Sequence, residues 1–199
     1  MFCILITGIP AAGKSTMAEF LAKRLNLPLI SKDQMKEILF DRIGFQSREE
    51  KVKLGVAGME LMYYVARQLM KTGQPFLLEN NFEHTSKEGL NAMLDTYGYT
   101  AITVILTGDY QKIYQRFFER NLSPDRHRGH VVNDCYPEKR KRSTEELKAA
   151  SIRYEDYVYG IETRGMDCFQ ANGPRIVVDT TDFSKVDYEA ILKQIERYL

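Results

Sequence analysis

The segment Gly8-Ile9-Pro10-Ala11-Ala12-Gly13-Lys14-Ser15 fits the pattern G-x-x-x-x-G-K-[ST], and Thr16 follows it. An apolar run, Phe2-Cys3-Ile4-Leu5-Ile6, leads into it. Behind it, Met17, Ala18, Leu21 and Leu25 recur on one face of a helix over 14–25. A buried strand therefore feeds a glycine-rich turn that opens an amphipathic helix. Gly8 and Gly13 allow backbone angles and close approaches that a Cβ would block. The N–H groups of Gly8, Ala11, Ala12, Gly13, Lys14, Ser15 and Thr16 then surround an anion, and the positive end of the helix dipole adds to the attraction. Lys14 reaches the β- and γ-phosphates of a nucleotide, and the Ser15 hydroxyl holds Mg²⁺. Thr16 either packs in the helix or touches the α-phosphate.

Outward from this segment, short apolar runs alternate with helical patterns. Strands are expected over 2–7, 28–31, 75–79, 100–106 and 175–179. The near-continuous run Ala101-Ile102-Thr103-Val104-Ile105-Leu106 suits a strand covered on both faces. Helices are expected over 47–72, from a Thr85/Glu88 capping box to about 97, from Asp109 to about 121, from a Ser143/Glu146 capping box to about 159, and near 185–198. Such alternation means an α/β fold with a parallel sheet. Residues 121–142 break the rhythm with Pro124, Gly129 and Pro137. A structureless stretch that long inside a domain is usually functional.

Composition narrows the classes. The 199 residues, 44% hydrophobic and 28% charged, are those of one globular domain spanning 1–199 and exclude a disordered or fibrous chain. Lys plus Arg is 28 against 27 acids, so the net charge of +1 argues against an obligate nucleic-acid binder. Cys3, Cys135 and Cys168 are too scattered for a disulfide framework or zinc site, which fits a reducing cytoplasm. No apolar run reaches membrane-spanning length.

Several signatures separate branches of nucleotide-binding proteins. No N-K-x-D guanine signature and no L-S-G-G-Q occurs. Asp95-Thr96-Tyr97-Gly98 matches D-x-x-G but precedes a strand, so it reads as a helix end with Gly98 as its cap. The order of Gly8–Thr16, Ser31-Lys32-Asp33-Gln34-Met35-Lys36, Leu77-Leu78-Glu79-Asn80-Asn81-Phe82 and Val104–Arg120 resembles a group of small P-loop kinases. That group includes the kinase half of polynucleotide kinase, chloramphenicol phosphotransferase, zeta-toxin-like kinases and AAA-type ATP-binding proteins. The resemblance implies a P-loop NTPase fold with a five-stranded parallel sheet in the order 2-3-1-4-5. It also implies a lid at about 121–142 and phosphoryl transfer from ATP to a hydroxyl.

Asp33 follows the second strand, at the carboxyl edge beside the P-loop. It either accepts or aligns the acceptor's hydroxyl proton, or caps a helix beginning at Gln34. Relatives often carry Asp-x-x-Arg here; Lys36 replaces the arginine and loses its bidentate geometry, so it also reads as a solvated helix lysine. Glu79 ends the third strand and either holds a Mg²⁺-bound water, competes with Asp33 as base, or serves structure. Asn80, Asn81 and Phe82 form either an acceptor wall or plain loop. Arg116 and Arg120 lie side by side on one helix, opposite Ile113 and Phe117, and lead to Arg126 in the lid. Arginines there neutralise charge on the transferring phosphoryl group. His127 and His130 read as lid contacts or surface residues rather than a metal site. The run Lys139-Arg140-Lys141-Arg142 is a solvated face or a guide for a phosphate-rich acceptor.

The expected function is an ATP- and Mg²⁺-dependent kinase acting on a small hydroxyl-bearing molecule. The alternatives are a polynucleotide 5′-hydroxyl kinase and an ATPase switch. Between Arg116 and Arg142, eight basic residues stand against four acids, so the positive charge is concentrated in the lid.

Overall fold

The computed structural model describes residues 1–199. Five strands, β1 (Phe2–Gly8), β2 (Leu29–Ser31), β3 (Leu77–Glu79), β4 (Thr100–Thr107) and β5 (Arg175–Asp179), form one sheet in the order β2-β3-β1-β4-β5. Every pairing is parallel. This is the expected topology, with β2 and β3 shorter than their apolar runs. Alternate residues of β1 feed opposite faces. Ile4 and Ile6 join a core with Met17, Leu21, Ile113 and Ile161. Cys3 and Leu5 join another with Met62, Ala66, Leu90 and Leu94.

The helices are α1 (Lys14–Leu25), α2 (Lys32–Ile43), α3 (Arg48–Lys71), α4 (His84–Thr96), α5 (Tyr110–Leu122), α6 (Arg128–Val131), α7 (Thr144–Ala149), α8 (Tyr154–Arg164) and α9 (Tyr188–Glu196). None is long and apolar enough to cross a membrane. Cys3, Cys135 and Cys168 are free thiols.

Four local expectations change. First, α2 begins at Lys32 with Ser31 at its N-cap, so Asp33 sits in the first turn and does not cap it. Second, α4 opens two residues early, where the Ser86 hydroxyl accepts from the Glu83 N–H. Third, the Ser143/Glu146 capping box forms, but the helix it opens stops at Ala149 and a new one starts at Tyr154. Tyr157 and Ile161 of the second helix join the main core, whereas Leu147 of the first is buried outside it. Fourth, the 121–142 segment contains α6 and is docked. Phe45 and Tyr136 exchange backbone hydrogen bonds of 2.8 Å, and Phe40, Phe45 and Val132 form a small core of their own. Gly58, a weak spot in α3, lets the backbone of Lys36 in α2 come within 3.4 Å of the position its Cβ would take.

Candidate nucleotide and acceptor site

All five strands deliver their carboxyl ends to one side, and a cleft of about 830 Å³ opens there. Register explains part of its floor. Ser31 and Ile6 both lie opposite Glu79, so Ser31 and Glu79 share a face of the sheet.

The loop after β1 is built as its sequence requires. Gly8 has φ 124° and Gly13 φ 89°, and a Cβ on Gly8 would lie 2.0 Å from the Leu106 carbonyl oxygen. Ala11 takes φ 67°, unusual for a residue with a side chain and typical of strained functional loops. The Tyr157 hydroxyl donates to the Pro10 carbonyl at 2.8 Å and braces the loop. The N–H groups of Gly13, Lys14, Ser15 and Thr16 have no backbone acceptor. Lys14 is buried, and its Nζ donates to the Ile9 carbonyl at 2.8 Å. Burial lowers its pKa to about 8, against the pull of Glu79 and Asp33; Arg120 and Arg126 lower it further. Those four side chains, drawn from β3, α2, α5 and the lid, therefore converge on Lys14.

Glu79 is buried and accepts from the Ser15 hydroxyl at 3.2 Å and from the Ser31 hydroxyl. Each of its oxygens accepts one hydroxyl proton and keeps a lone pair toward the phosphate cradle. Asp33 faces the cleft and accepts no hydrogen bond from the protein. Burial alone would raise its pKa, but His130, Lys36, Lys32 and Arg126 overcome it and hold the carboxylate ionised. Lys36 is not a freely solvated helix lysine: it lines the cleft with its Nζ 5.2 Å from the centre of the Phe40 ring.

The arginines divide the cleft. Arg116 donates to the Thr180 carbonyl at 2.5 Å and stacks 3.8 Å from the centre of the Phe183 ring. Its Nη1 is buried without a partner. Arg120 is brought down to about 10 by desolvation and by Arg126 beside it. Arg126 also carries a buried, unpartnered Nε. Phe117, expected on the opposite face from these arginines, lines the same cleft.

Other expectations divide. Asn81 lines the cleft, whereas Phe82 turns inward and stacks on Phe169, and Asn80 is buried. The His130 Nε2 pairs with Glu37 at 2.7 Å and that of His127 with Asp41 at 3.1 Å. No group of three or more His, Cys, Asp or Glu side chains could hold a metal. Arg140 and Arg142 lie away from the main cleft, in ion pairs with Glu146 and Asp134.

Sequence reading missed Phe183, Arg164 and Lys51. Phe183 had a faint signal, an aromatic residue in a polar turn after β5. Arg164 lines the far wall, 3.2 Å from Glu83, with no local pattern to mark it.

Residues 4–148 match a family model described as an AAA domain. No curated protein sequence matches the chain. Among solved structures, a provisionally named kinase from Chloroflexus aurantiacus j-10-fl is 26% identical with a TM-score of 0.73, covering 99% of this chain and 94% of its own. A shikimate kinase from Bacteroides thetaiotaomicron (15% identical, TM-score 0.54, 100% and 97% covered) shares the fold. So does a gluconokinase from Sinorhizobium meliloti 1021 (12%, 0.53, 96% and 87%). The P-loop, the sheet order and the match over nearly three-quarters of the sequence agree: this chain belongs to the AAA domain family and has the fold of the P-loop kinases.

Proposed function

We propose that this protein is an ATP-dependent kinase that transfers the γ-phosphoryl group to a hydroxyl of a small-molecule acceptor. Residues 1–199 act as one cytoplasmic kinase domain with 121–142 as its lid. The observation that carries the reading is the convergence of Asp33, Glu79, Arg120 and Arg126 on Lys14 in a single cleft.

The unbonded amides of Gly13–Thr16 cradle the β-phosphate, and Lys14 exchanges the Ile9 carbonyl for phosphate oxygens. The Ser15 hydroxyl and the Glu79 carboxylate are hard oxygen donors on one side of that cradle, the kind of sparse set that Mg²⁺ uses together with phosphates and water. When bound, the ion neutralises charge between the β- and γ-phosphates. With both oxygens of Glu79 engaged, the free, ionised Asp33 is the better candidate to take the acceptor's proton. The acceptor oxygen then bonds to the γ-phosphorus, the bond from that phosphorus to the bridging oxygen breaks, and ADP leaves. Arg120 and Arg126 stabilise the charge that spreads over the transferring group. Arg116 and Phe183 flank the base.

The test measures ATP consumption with and without a pooled library of hydroxyl compounds, with mass detection of products and Lys14→Ala as control. Acceptor-stimulated turnover with a phosphorylated product supports the kinase. Steady hydrolysis to ADP and phosphate with no phosphorylated acceptor would identify an ATPase instead.

A further inference from the structure

Lys51, in the first turn of α3, is 9% exposed and has no carboxylate partner. Its Nζ donates to three oxygens of the lid: the His130 carbonyl at 3.0 Å, the Val132 carbonyl at 2.5 Å and Asn133 Oδ1 at 3.0 Å. An ammonium has three donors, and all three are used on one short segment. The charged groups around it are cationic. Lys36 lies on α2, Arg48 on the same turn of α3 and Arg126 in the lid, and with burial they bring the pKa of Lys51 down to about 7. Burying this amine among cations costs stability whether it keeps its charge or gives up its proton, so ordinary packing does not explain the residue.

The held segment explains it. His130, whose carbonyl Lys51 grips, turns its ring to Glu37 on α2 and lies within electrostatic reach of Asp33. Arg126 precedes it by four residues, lines the cleft and leaves its buried Nε without a partner. Gly129 lies against the Phe40 ring, where a Cβ would be 2.4 Å from a ring carbon. The second half of the lid is thus fixed to α2, which carries Asp33, through His127 and His130, and to α3 packed against it, where Lys51 supplies three of the polar contacts.

We propose that Lys51 is a positioning residue: its ammonium clasps the His130–Asn133 backbone to α3 and so holds His130 and Arg126 in register with Asp33. Its effect on turnover rests on the kinase reading; its effect on the lid does not.

The test compares Lys51→Met with the wild type and with Lys53→Met, an exposed lysine on the same helix paired only with Glu49. Amide hydrogen exchange over 126–133 should speed up about tenfold in Lys51→Met and stay unchanged in Lys53→Met. The chain has three histidines, so their imidazole resonances are few enough to follow individually. The titration of His130, held low mainly by burial, should move up toward the ordinary imidazole value. With ATP and an acceptor found in the library, kcat should fall about tenfold with the KM for ATP little changed. Asn133→Ala removes one of the three acceptors and should shift the same amides by less, which tests the clasp should Lys51→Met not fold. A folded Lys51→Met with wild-type exchange over 126–133 and a wild-type His130 titration overturns the proposal. If the wild type phosphorylates nothing, the kinase reading fails, and exchange and titration still decide the clasp.

Discussion

The Ser15 hydroxyl donates to Glu79 across 3.2 Å, joining the last residue of the P-loop motif to the end of β3, 64 residues away. The two groups define the metal side of the proposed phosphate site. Glu79→Gln keeps the size of the side chain and removes its charge. Turnover should fall about a hundredfold, and the Mg²⁺ concentration for half-maximal rate should rise. A titration of rate against Mg²⁺ reads both, and an unchanged Mg²⁺ requirement would remove Glu79 from the metal site.

Asp33 is the candidate that takes the acceptor's proton. Asp33→Asn should lower kcat by about 10²- to 10⁴-fold and leave nucleotide affinity nearly intact. Calorimetric titration with a non-hydrolysable ATP analogue, set beside turnover, separates the two effects. A variant that turns over normally would transfer the base role to Glu79.

The Arg116–Phe183 stack gives a third prediction. Phe183→Ala should raise the KM for ATP about five- to tenfold through loss of roughly 1 kcal/mol of aromatic contact. The chain contains no tryptophan, so Phe183→Trp installs a single fluorescent reporter. Its emission should change when nucleotide is added to the isolated protein, and silence would place the base elsewhere.

Lys14 sets a pH dependence. Its pKa in the free protein is about 8, and phosphate binding favours the charged ammonium. Nucleotide affinity should therefore hold below pH 8 and weaken as pH rises through it. For stability the sign is opposite. The lowered pKa means that the folded state disfavours the charged form, so its cost is present below pH 8 and is relieved as pH climbs toward the unfolded value. Affinity measured across pH 6.5 to 9.5 should show a limb near 8 that Lys14→Ala lacks.

Gly8→Ala should destabilise the fold by about 3 kcal/mol, because the new methyl would meet the backbone of β4 at a positive φ. Urea unfolding measures it, and a loss under about 0.5 kcal/mol would mean that the two strands can separate locally.

The sequence by itself determined the P-loop, the strand–helix alternation and, through them, the sheet. Glycines at positive φ, a strand buried on both faces and apolar periodicity are local properties, written in consecutive residues. Lys14, Ser15, Asp33, Glu79 and Arg120, which line one cleft with Arg126, were legible as candidates because each sits in or beside the end of a strand or helix that local pattern marks.

The tertiary structure decided what depends on partners far along the chain. Only the register of β2 on β3 sets Ser31 beside Glu79, occupying that carboxylate and leaving Asp33 free. Only the folded chain brings Phe183 under Arg116 and Lys51 under the lid. A lysine in the first turn of a polar helix looks solvated in sequence. It becomes a buried clasp because residues 130–133, about 80 positions later, fold back over it and supply three oxygens that water would otherwise have provided.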